Sequence, residues 1–483
     1  MAGSRPKLWM AIAACMALAA ALRFPGLMAQ SLWIDEIYSV DMTYWPLGVV
    51  LGVQDGHPPL FALLHRVVAS GIDADVAGRL ISAVAGVLAV GALVCFATTI
   101  WDLRVGVVAG VLLAVSPLHV WYSQEGRSYA LVVLIAILAS HALVAGARHG
   151  GWRAWTAFGV LSLCGLFTHY LYAGLLLAQV IFLAWVGGQA SLLFTIAFVM
   201  LVGAAAVPVL GREATSFVGE QRGFEWLALP YAGFTYIGGF GLGPSVEALH
   251  RDRSLTAVAQ SWPAIMPVIL VAVGILLTLP SALRRAGLLG VYVVLWAVVP
   301  VLVVFAGSWL RDGAFNVRYA LAALPAIVLG LALAITSGST RRLAIGLGAI
   351  LALSAVSIAH SRLDADRVRE DLRSAGRFLA TSAGAGDRVI VSAGYVDYGL
   401  AHYCGRDTKF EPLPIHPIRT ADDARRNLEA LTDDPRITWL VLVREWEDDP
   451  EGHLLAALER SPAATSVTRF PGVRIFRLAP PRS

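Results

Sequence analysis

The sequence is short of charge and contains no surface typical of nucleic-acid binding. Asp, Glu, Lys and Arg make up only 14% of the 483 residues, whereas 57% of the residues are hydrophobic and the mean hydropathy is +0.69. A soluble domain carries about a quarter charged residues, so this composition predicts a chain that uses lipid as solvent for most of its length. The net charge is only +4 and no basic face with interleaved aromatic residues occurs. Nucleic acid is therefore not indicated as a partner.

Paired cysteines and nucleotide-binding motifs are also missing. Three of the four cysteines lie inside apolar segments, and Cys404 stands alone in the polar C-terminal part. Without a CxxC pair, neither a redox motif nor a zinc cluster is supported. The sequence has no GxGxxG after a strand, no Walker loop and no HExxH. These absences argue against a cytoplasmic site that binds ATP or a nucleotide sugar. If the protein transfers a chemical group, a donor of that group that is carried in the membrane fits better.

Long hydrophobic runs predict about eleven transmembrane helices, at roughly 20 residues per span. The predicted spans are 8–27, 79–100, 104–119, 127–147, 153–168, 172–187, 190–210, 262–283, 287–307, 319–336 and 342–360. Basic residues cluster in short connections on one side, which the positive-inside rule places in the cytoplasm. We expect the first run to be an uncleaved anchor, because Arg23-Phe24-Pro25 replaces a small-residue cleavage site. An odd number of spans then places the N-terminus inside and the C-terminal part outside.

We therefore predict a polytopic α-helical membrane protein with a small C-terminal soluble α/β domain. Residues 1–360 form the membrane domain, with an interfacial first outer loop at 28–78, and residues 361–483 form the extracytoplasmic domain. Within the loop, Pro58–Val68 predicts a short amphipathic helix in the interface plane. The strands predicted in the C-terminal domain are Arg388–Ser392, Thr438–Val443 and Val473–Leu478.

Polar residues that are suited to chemistry gather in the connections on the predicted outer side. Those connections are Met28–Gly78, Ser116–Arg127, Thr168–Tyr172, Gly211–Ser261 and Ser308–Arg318, whereas the cytoplasmic connections are only a few residues long. This asymmetry places the active site outside.

Two adjacent carboxylates, Asp35 and Glu36, follow the first apolar segment and lie at the membrane boundary. Acidic residues beside long apolar helices are costly and usually mark a site. On a helix the two side chains point about 100° apart, so one can face a cavity while the protein holds the other. The alternative is a pair of solvated interfacial acids.

The second outer motif is Asp55-Gly56-His57-Pro58-Pro59. A residue before proline is driven towards an extended conformation, so His57 is presented rather than wound into the following helix. We expect His57, with Asp55, to bind substrate or share a proton. The alternative is that His57 caps the helix that follows.

A third outer stretch, Ser116–Tyr129, joins two spans and contains Tyr122, Glu125 and Arg127. Free N–H groups of a neighbouring helix N-terminus would favour an anion there. The alternative is a structural network between Glu125 and Arg127. His169 lies at another outer helix end, where a lone histidine is more often structural.

The fifth outer connection carries Arg311 and Asp312 and ends at Arg318 and Tyr319, which open a late span. An arginine at the lipid boundary can grip a phosphate with two parallel hydrogen bonds. The alternative is an anchor whose side chain reaches the outer headgroups. Weaker candidates in the fourth outer connection are Arg212, Glu220 and Arg222.

In their order and sidedness these motifs resemble the GT-C membrane glycosyltransferases, specifically the bacterial branch similar to protein O-mannosyltransferases and lipid A aminoarabinose transferases. The resemblance covers roughly residues 8–360. It rests on Asp35-Glu36, Asp55–Leu60, Ser116-Pro117 with Tyr122–Tyr129, His169-Tyr170 and Arg318-Tyr319. It implies that residues 1–360 form a GT-C catalytic domain. The implied reaction is an inverting transfer of a sugar from a polyprenyl-phosphate donor to a hydroxyl acceptor outside the bacterial cytoplasmic membrane.

The resemblance also implies roles for the candidate residues. Asp35 becomes the catalytic base, and Glu36 orients the acceptor or Asp35. The leaving phosphate needs cations, which Arg318, with Arg127 or Arg311, would supply. The remaining candidates are expected to contact substrate: Asp55, His57, Tyr122, Glu125, His169 and Tyr319.

The expected partners are the lipid bilayer, the lipid-linked sugar donor and an acceptor that the sequence does not identify as lipid, glycan or protein. No dedicated metal constellation is present, and the sequence leaves a divalent metal open. The main rival function is a transporter or flippase of lipid-linked sugars, although scarce mid-span charges favour an enzyme. Further rivals are a ligase or polymerase of lipid-linked oligosaccharides and a receptor-like protein with a decayed site.

Overall fold

The computed structural model describes residues 5–52, 58–186, 226, 228–244, 256–310, 315–364, 369–405, 408–413 and 418–479. The chain divides into two compact units. We call Met1–Leu27, Ser39–Gly239 and Ala264–Ile358 the membrane unit. We call Met28–Tyr38, Phe240–Pro263 and Ala359–Ser483 the sheet unit.

Helices dominate the first three quarters of the chain. In order, the described helices are α1 (Arg5–Arg23), α2 (Ile34–Asp41), α3 (Leu47–Leu51), α4 (Pro59–Ala69), α5 (Ala74–Ile100), α6 (Leu103–Val115), α7 (Pro117–Ser123), α8 (Tyr129–His149), α9 (Trp152–Thr168), α10 (Ala173–Val186), α11 (Ala228–Gly238), α12 (Thr256–Gln260), α13 (Trp262–Ala286), α14 (Leu288–Leu310), α15 (Leu324–Thr336) and α16 (Thr340–Leu363). Short 3₁₀ helices, Tyr170–Tyr172 and Val317–Ala323, lead into α10 and α15.

Many of these helices are suited to cross a bilayer. In the described part of the chain, α1, α5, α8, α13, α14, α16 and the helix formed by α15 with its 3₁₀ turn are long and apolar enough to do so. The bent pair of α6 and α7 raises the number from seven to eight. Helices lie at ten of the eleven predicted spans, and the span predicted at 190–210 lies outside the described residues. The protein is a multi-pass membrane protein, as the hydropathy predicted.

A short helix, α4, is present where one was predicted at Pro58–Val68. The next helix, however, begins earlier than predicted. Asp73 caps α5, because its carboxylate accepts from the backbone N–H groups of Asp75 (2.9 Å) and Val76 (3.3 Å). Arg79, predicted at the start of a span, therefore lies inside α5, where it is buried and donates to the carbonyl of Leu27 at 2.9 Å.

The span predicted at 104–119 is not one straight helix, because the chain bends by 60° between α6 and α7. Pro117 begins α7, and the residue before a proline avoids the helical conformation, so the helix breaks at Ser116. The break leaves carbonyl groups at the end of α6 without helical partners. The buried guanidinium of Arg23 donates to two of them, Ala114 at 2.9 Å and Leu113 at 3.2 Å.

Small residues let the helices of the membrane unit approach closely, as is usual in membranes. Helix α5 packs against α1, α6 and α8. Gly86 of α5 faces α7 so closely that a Cβ atom there would lie 2.2 Å from Oγ and 2.8 Å from Cβ of Ser123. The same serine accepts a hydrogen bond from Nε of Arg23 at 3.1 Å. The contact therefore helps to hold the broken helix.

The sheet unit contains a five-stranded sheet with helices on both faces. Its elements after α16 are α17 (Leu372–Ser382), β1 (Arg388–Val391), α18 (Asp397–Cys404), β2 (Phe410–Pro412), α19 (Ala421–Thr432), β3 (Thr438–Val443), α20 (Glu445–Asp448), α21 (His453–Arg460), β4 (Ala464–Phe470) and β5 (Val473–Leu478), with a 3₁₀ turn at Gly394–Val396. The strand order is β2-β1-β3-β5-β4, in which β1 is parallel to β2 and β3, and β5 is antiparallel to β3 and β4. Strands are present at all three predicted positions.

Helices cover the central strand β3 on both faces of the sheet. All six of its residues are buried, as expected for a strand between two layers of helix. Trp439, Val441 and Val443 enter one hydrophobic core together with residues of α17 and α18, whereas Leu440 and Leu442 enter a second core with residues of α19 and α21. The alternation of side chains along the strand assigns them to the two cores.

We predict that Gly86→Ala destabilises the membrane unit. The added methyl group would collide with a buried serine, and overpacking of this kind costs about 1–3 kcal/mol. Thermal unfolding of the purified protein in detergent should show a lower transition temperature. Gly274→Ala is the matched control, because a Cβ atom at Gly274 of α13 meets nothing within 4 Å, and alanine favours a helix. Equal transition temperatures for the two variants would contradict the packing.

Candidate functional site

The two adjacent carboxylates of α2 have different environments. Glu36 is 1% exposed, and its Oε2 atom accepts from Nη1 of Arg369 at 2.9 Å and from the backbone N–H of Trp33 at 3.3 Å. Asp35 is half-buried in the first turn of the same helix, where the positive end of the helix dipole favours a carboxylate. The pair is therefore not simply two solvated acids: one of them is held in a buried ion pair.

Arg127 lies in the connection between α7 and α8, and its side chain and backbone are both held in place. Its Nη1 atom donates to Oγ of Ser39 at 2.9 Å, and its carbonyl accepts from Oγ of Ser82 at 2.9 Å. Its backbone N–H donates to the carbonyl of Glu125 at 2.7 Å, and Glu125 is 2% exposed. The connection is thus packed into the protein and presents Arg127 in one orientation.

Four aromatic rings from three connections form a continuous row beside this arginine. The ring of Tyr129 lies 5.0 Å from that of Tyr122 and 5.8 Å from that of His169. The ring of His169 in turn lies 6.1 Å from that of Tyr319. We call these four residues the aromatic row.

Arg318 lies at the far end of the aromatic row. Its guanidinium carbon is 5.1 Å from the centre of the Tyr319 ring, and its Nη2 atom donates to the Tyr319 hydroxyl at 3.3 Å. The 3₁₀ turn that carries it is capped by Asn316, whose Oδ1 atom accepts from the backbone N–H of Arg318 at 3.1 Å. Local hydrogen bonds therefore fix the backbone from which this arginine projects.

Two arginines and the buried carboxyl group of Glu125 contribute to the electrostatics of this cluster. Burial, together with the positive charges of Arg127 and Arg318, lowers the pKa of His169 to about 4. His169 is consequently neutral at physiological pH. Its Nδ1 atom accepts from the backbone N–H of Leu171 at 3.3 Å, so the ring proton is on Nε2. The cluster presents two permanent cations, one neutral imidazole and three phenol rings, which suits an anionic ligand.

The structure brings together the predicted residues of the membrane unit that it describes. Tyr122, Arg127, His169, Arg318 and Tyr319 belong to or adjoin the aromatic row, and Glu125 is part of the same connection as Arg127. Other predicted candidates lie outside the described residues: Asp55, His57, Arg212, Glu220, Arg222, Arg311 and Asp312.

Sequence reasoning did not single out four residues that hold these side chains. They are Ser39, which accepts from Arg127; Tyr129, at the centre of the aromatic row; Asn316, which caps the turn of Arg318; and Arg369, which pairs with Glu36. Tyr129 lies in the third outer stretch, Ser116–Tyr129, and Asn316 lies in the fifth outer connection, Ser308–Arg318. Arg369 is 333 residues from its partner, and no local pattern connects the two.

The side chains that the structure describes do not form a metal site. Among those residues, no group of three or more His, Cys, Asp and Glu side chains is arranged to hold a metal ion. We derive no chemical step through a metal.

Part of the chain is similar in sequence to a known protein family. The family described as dolichyl-phosphate-mannose-protein mannosyltransferase matches residues 56–211. A search of curated protein sequences gives no match.

Solved structures match over almost the whole chain. ArnT from Cupriavidus metallidurans in the apo state has a TM-score of 0.55 at 12% identity, covering 99% of this chain and 100% of that one. The same protein bound to undecaprenyl phosphate has a TM-score of 0.54 at 12% identity, with coverage of 98% and 99%. The archaeal oligosaccharyltransferase AglB from Archaeoglobus fulgidus, in complex with an inhibitory peptide and a dolichol-phosphate, has a TM-score of 0.54 at 13% identity, with coverage of 92% and 70%.

At these identities the solved structures establish a common fold, and the family match adds an independent indication from the sequence. Together they support a glycosyltransferase. The predicted resemblance is confirmed: the chain is a multi-pass membrane protein with the GT-C fold.

Proposed function

We propose that this protein transfers a sugar, with inversion, from a polyprenyl-phosphate-linked donor to a hydroxyl acceptor on the outer face of the cytoplasmic membrane. The observation that carries the proposal is the pair of arginines, Arg127 and Arg318, at the aromatic row of a chain with the GT-C fold. Relatives of this fold have been solved with undecaprenyl phosphate and with dolichol-phosphate. An anionic lipid phosphate is the ligand that such a pair of cations suits.

The proposed donor site uses charge at a helix end. Arg127 directly precedes Ser128, the first flanking residue of α8, and the Ser128 side chain makes no capping bond to the helix. The first N–H groups of α8 therefore add a partial positive charge near that of the arginine. Arg318 adds a second planar cation, and guanidinium groups bind phosphate through two parallel hydrogen bonds. Arg311, a third cation in our proposal, lies outside the described residues.

The proposed chemical step needs one base and these cations. The Asp35 carboxylate takes the proton of the acceptor hydroxyl, and the hydroxyl oxygen attacks the anomeric carbon from the side opposite the phosphate. The bond between the anomeric carbon and the phosphate oxygen breaks, and its electron pair stays on the phosphate. Arg318 and Arg127 stabilise the charge that develops there. The products are the inverted glycoside, polyprenyl phosphate and a protonated Asp35.

The roles of the remaining candidates follow from this step. We assign Glu36 to positioning rather than to proton transfer, since it is buried in an ion pair with Arg369. Tyr122, Glu125, His169 and Tyr319 form the walls of the proposed donor site, and Asp55 and His57 of the first outer loop are proposed to contact substrate.

The proposed orientation places the N-terminus in the cytoplasm and the C-terminal α/β domain outside. It is supported by the basic residues in the short connections, among them Arg284 and Arg285 in the last turn of α13. The positive-inside rule assigns such ends to the cytoplasm.

Replacing Asp35 by asparagine should lower sugar transfer at least about 10²-fold, the low end for the loss of a positioned base. The assay uses defined undecaprenyl-phosphate sugars with a cell-envelope extract as the acceptor source. Asp387→Asn serves as the control. Asp387 is likewise half-buried in the sheet unit, and its contact with Nε1 of Trp439 (2.9 Å) survives as a bond to the amide oxygen. Unchanged turnover in folded Asp35→Asn protein would rule out the base.

Replacing Arg318 by glutamine should weaken the binding of undecaprenyl phosphate about 10- to 100-fold, because a hydrogen bond to a charged group contributes about 1.5–3 kcal/mol. The measurement is a titration of the purified protein in detergent with undecaprenyl phosphate, so it does not depend on which sugar is transferred. The control is Arg285→Gln: Arg285 is exposed and donates to the carbonyl of Ser337 at 2.9 Å. If both variants bind like the wild type, Arg318 is not a phosphate ligand.

Fusing alkaline phosphatase to the C-terminus should give an active enzyme, because that reporter folds only outside the cytoplasm, where disulfides form. The same reporter fused after Trp101, in the connection between α5 and α6, should be inactive. The reverse pattern of activities would overturn the proposed orientation.

A further inference from the structure

The sheet of the sheet unit has the kind of crevice in which α/β proteins bind ligands. Such ligands bind beyond the carboxyl ends of parallel strands, where the strand order reverses. Here the chain leaves β1 for β2 on one side and returns to β3 on the other, so the reversal lies between β1 and β3. Ala393 and Arg444, which follow these two strands, are the non-glycine residues of the described chain with positive φ, at 48° and 50°. Backbone strain of this kind concentrates at functional sites.

A segment of the same chain lines this crevice. The crevice is lined by Trp33 and Ile34 together with Val396, which follows β1, and with Val443 and Arg444 at the end of β3. Ile34 packs against the hydrophobic core of the sheet. We call Met28–Tyr38, the part of the first outer loop that belongs to the sheet unit, the anchored segment.

Hydrophobic contact continues along the anchored segment into α2. Gly399 of α18 faces the segment, since a Cβ atom there would be in ordinary contact with it, at 3.5 Å from Cγ1 of Ile34 and 3.8 Å from Cδ1 of Ile37. Leu32 and Ile37 are each 1% exposed. The segment is therefore buried on both sides of Asp35 in sequence.

Hydrogen bonds to the backbone fix the path of the anchored segment. Arg373 donates from Nη1 to the carbonyl of Met28 at 3.0 Å and from Nη2 to that of Gln30 at 3.1 Å. The hydroxyl of Tyr403 accepts from the N–H of Leu32 at 2.8 Å. Since these partners are main-chain groups, the sheet unit holds the course of the segment and not merely one of its side chains.

The ion pair between Arg369 and Glu36 holds the segment where the proposed base is located. Both side chains are largely buried, at 10% and 1% exposed, and their atoms are 2.9 Å apart. The neighbouring Glu370 accepts from Ser31 Oγ through its carbonyl at 2.6 Å, and its side chain pairs with Nε of Arg444 at 2.8 Å. Burial alone would raise the pKa of Glu370, but the Arg444 guanidinium holds it below its usual value. The second ion pair is therefore charged at neutral pH.

We propose that the C-terminal sheet is a positioning device for the catalytic loop: its ligand crevice holds the anchored segment, and Arg369 orients Asp35 through Glu36. This inference rests on the proposed role of Asp35 as base. Arg369, Arg373 and Tyr403 are positioning residues, because their contacts are with the segment and not with reacting atoms. Loosening the anchor should slow the chemical step for every acceptor and leave donor binding unchanged.

The test compares Arg369→Gln with Arg369→Lys in the full-length protein. Misplacing a reacting group by about 1 Å can cost about 10²-fold in rate, so Arg369→Gln should lower kcat at least 10-fold without changing the affinity for undecaprenyl phosphate. The lysine variant keeps the charge and should recover part of the loss. Because both partners act as one unit, Glu36→Gln combined with Arg369→Gln should be no slower than the slower single variant.

Hydrogen exchange supplies a readout that is independent of activity. Backbone amides of residues 30–38 should exchange at least 10-fold faster in Arg369→Gln than in the wild type. The matched control is Arg388→Gln. Arg388 is 11% exposed, pairs with Asp434 at 3.2 Å and belongs to the same unit, but it lies in β1 and makes its ion pairs away from the anchored segment. The control should leave both kcat and exchange in residues 30–38 unchanged.

The outcomes separate this inference from the proposed function. If Asp35→Asn abolishes transfer while Arg369→Gln keeps wild-type kcat and exchange, the positioning role is wrong and the base stands. If Arg388→Gln produces the same losses, the effect is general destabilisation and the positioning role is again wrong. If Asp35→Asn remains active, the base assignment fails, and a change in exchange would then show an anchored segment without a catalytic role. Should Arg369→Gln not fold, Tyr403→Phe, which removes only the hydroxyl bonded to Leu32, gives the exchange test.

Discussion

A chain dissolved in lipid must satisfy its polar groups from within, and this constraint shapes the membrane unit. Hydrocarbon offers no hydrogen bonds, so each broken helix needs a partner for its exposed backbone groups. At the break between α6 and α7 that partner is the buried Arg23, which bonds the free carbonyls of Leu113 and Ala114. At the turn before α15, Asn316 supplies the cap. At both of these described breaks, a polar side chain meets the irregular backbone.

The arginines of the membrane unit lie in two kinds of surroundings. Arg23 and Arg79 are buried against backbone carbonyls and serve the helix ends. Arg127 and Arg318 instead stand at the aromatic row, where aromatic faces and a neutral histidine share their surroundings. Guanidinium groups next to aromatic rings keep their charge and their donors. The contrast supports the choice of Arg127 and Arg318 as the phosphate ligands of the proposed reaction.

In the sheet unit, two neighbouring residues differ in burial. Glu36 is held by Arg369 while Asp35 is half-buried, although the two are adjacent and chemically alike. The crevice that other α/β sheets use for a ligand here holds Trp33 and Ile34 of the same chain. If the sheet unit positions this loop, as we propose, its role does not depend on which acceptor the enzyme uses.

The sequence by itself determined the class of the protein, because the signals for that class are local. Apolar runs of about 20 residues mark membrane spans, and the buried run Thr438–Val443 marks a central strand of the sheet. Motif order carried the resemblance to GT-C enzymes, which the fold confirms. Proline-driven breaks are also local, yet the length of the apolar run between 104 and 119 concealed the one at Ser116.

Only the tertiary structure decided which polar residues meet. The aromatic row unites Tyr122, Tyr129, His169 and Tyr319 from connections far apart in sequence. The partner of Glu36 lies 333 residues away. Adjacent carboxylates look equivalent in a sequence, since solvent exposure and ion pairing arise from packing between distant segments. The division of labour proposed for Asp35 and Glu36 is therefore a property of the folded chain, because a buried charge needs an opposite charge that only folding brings to it.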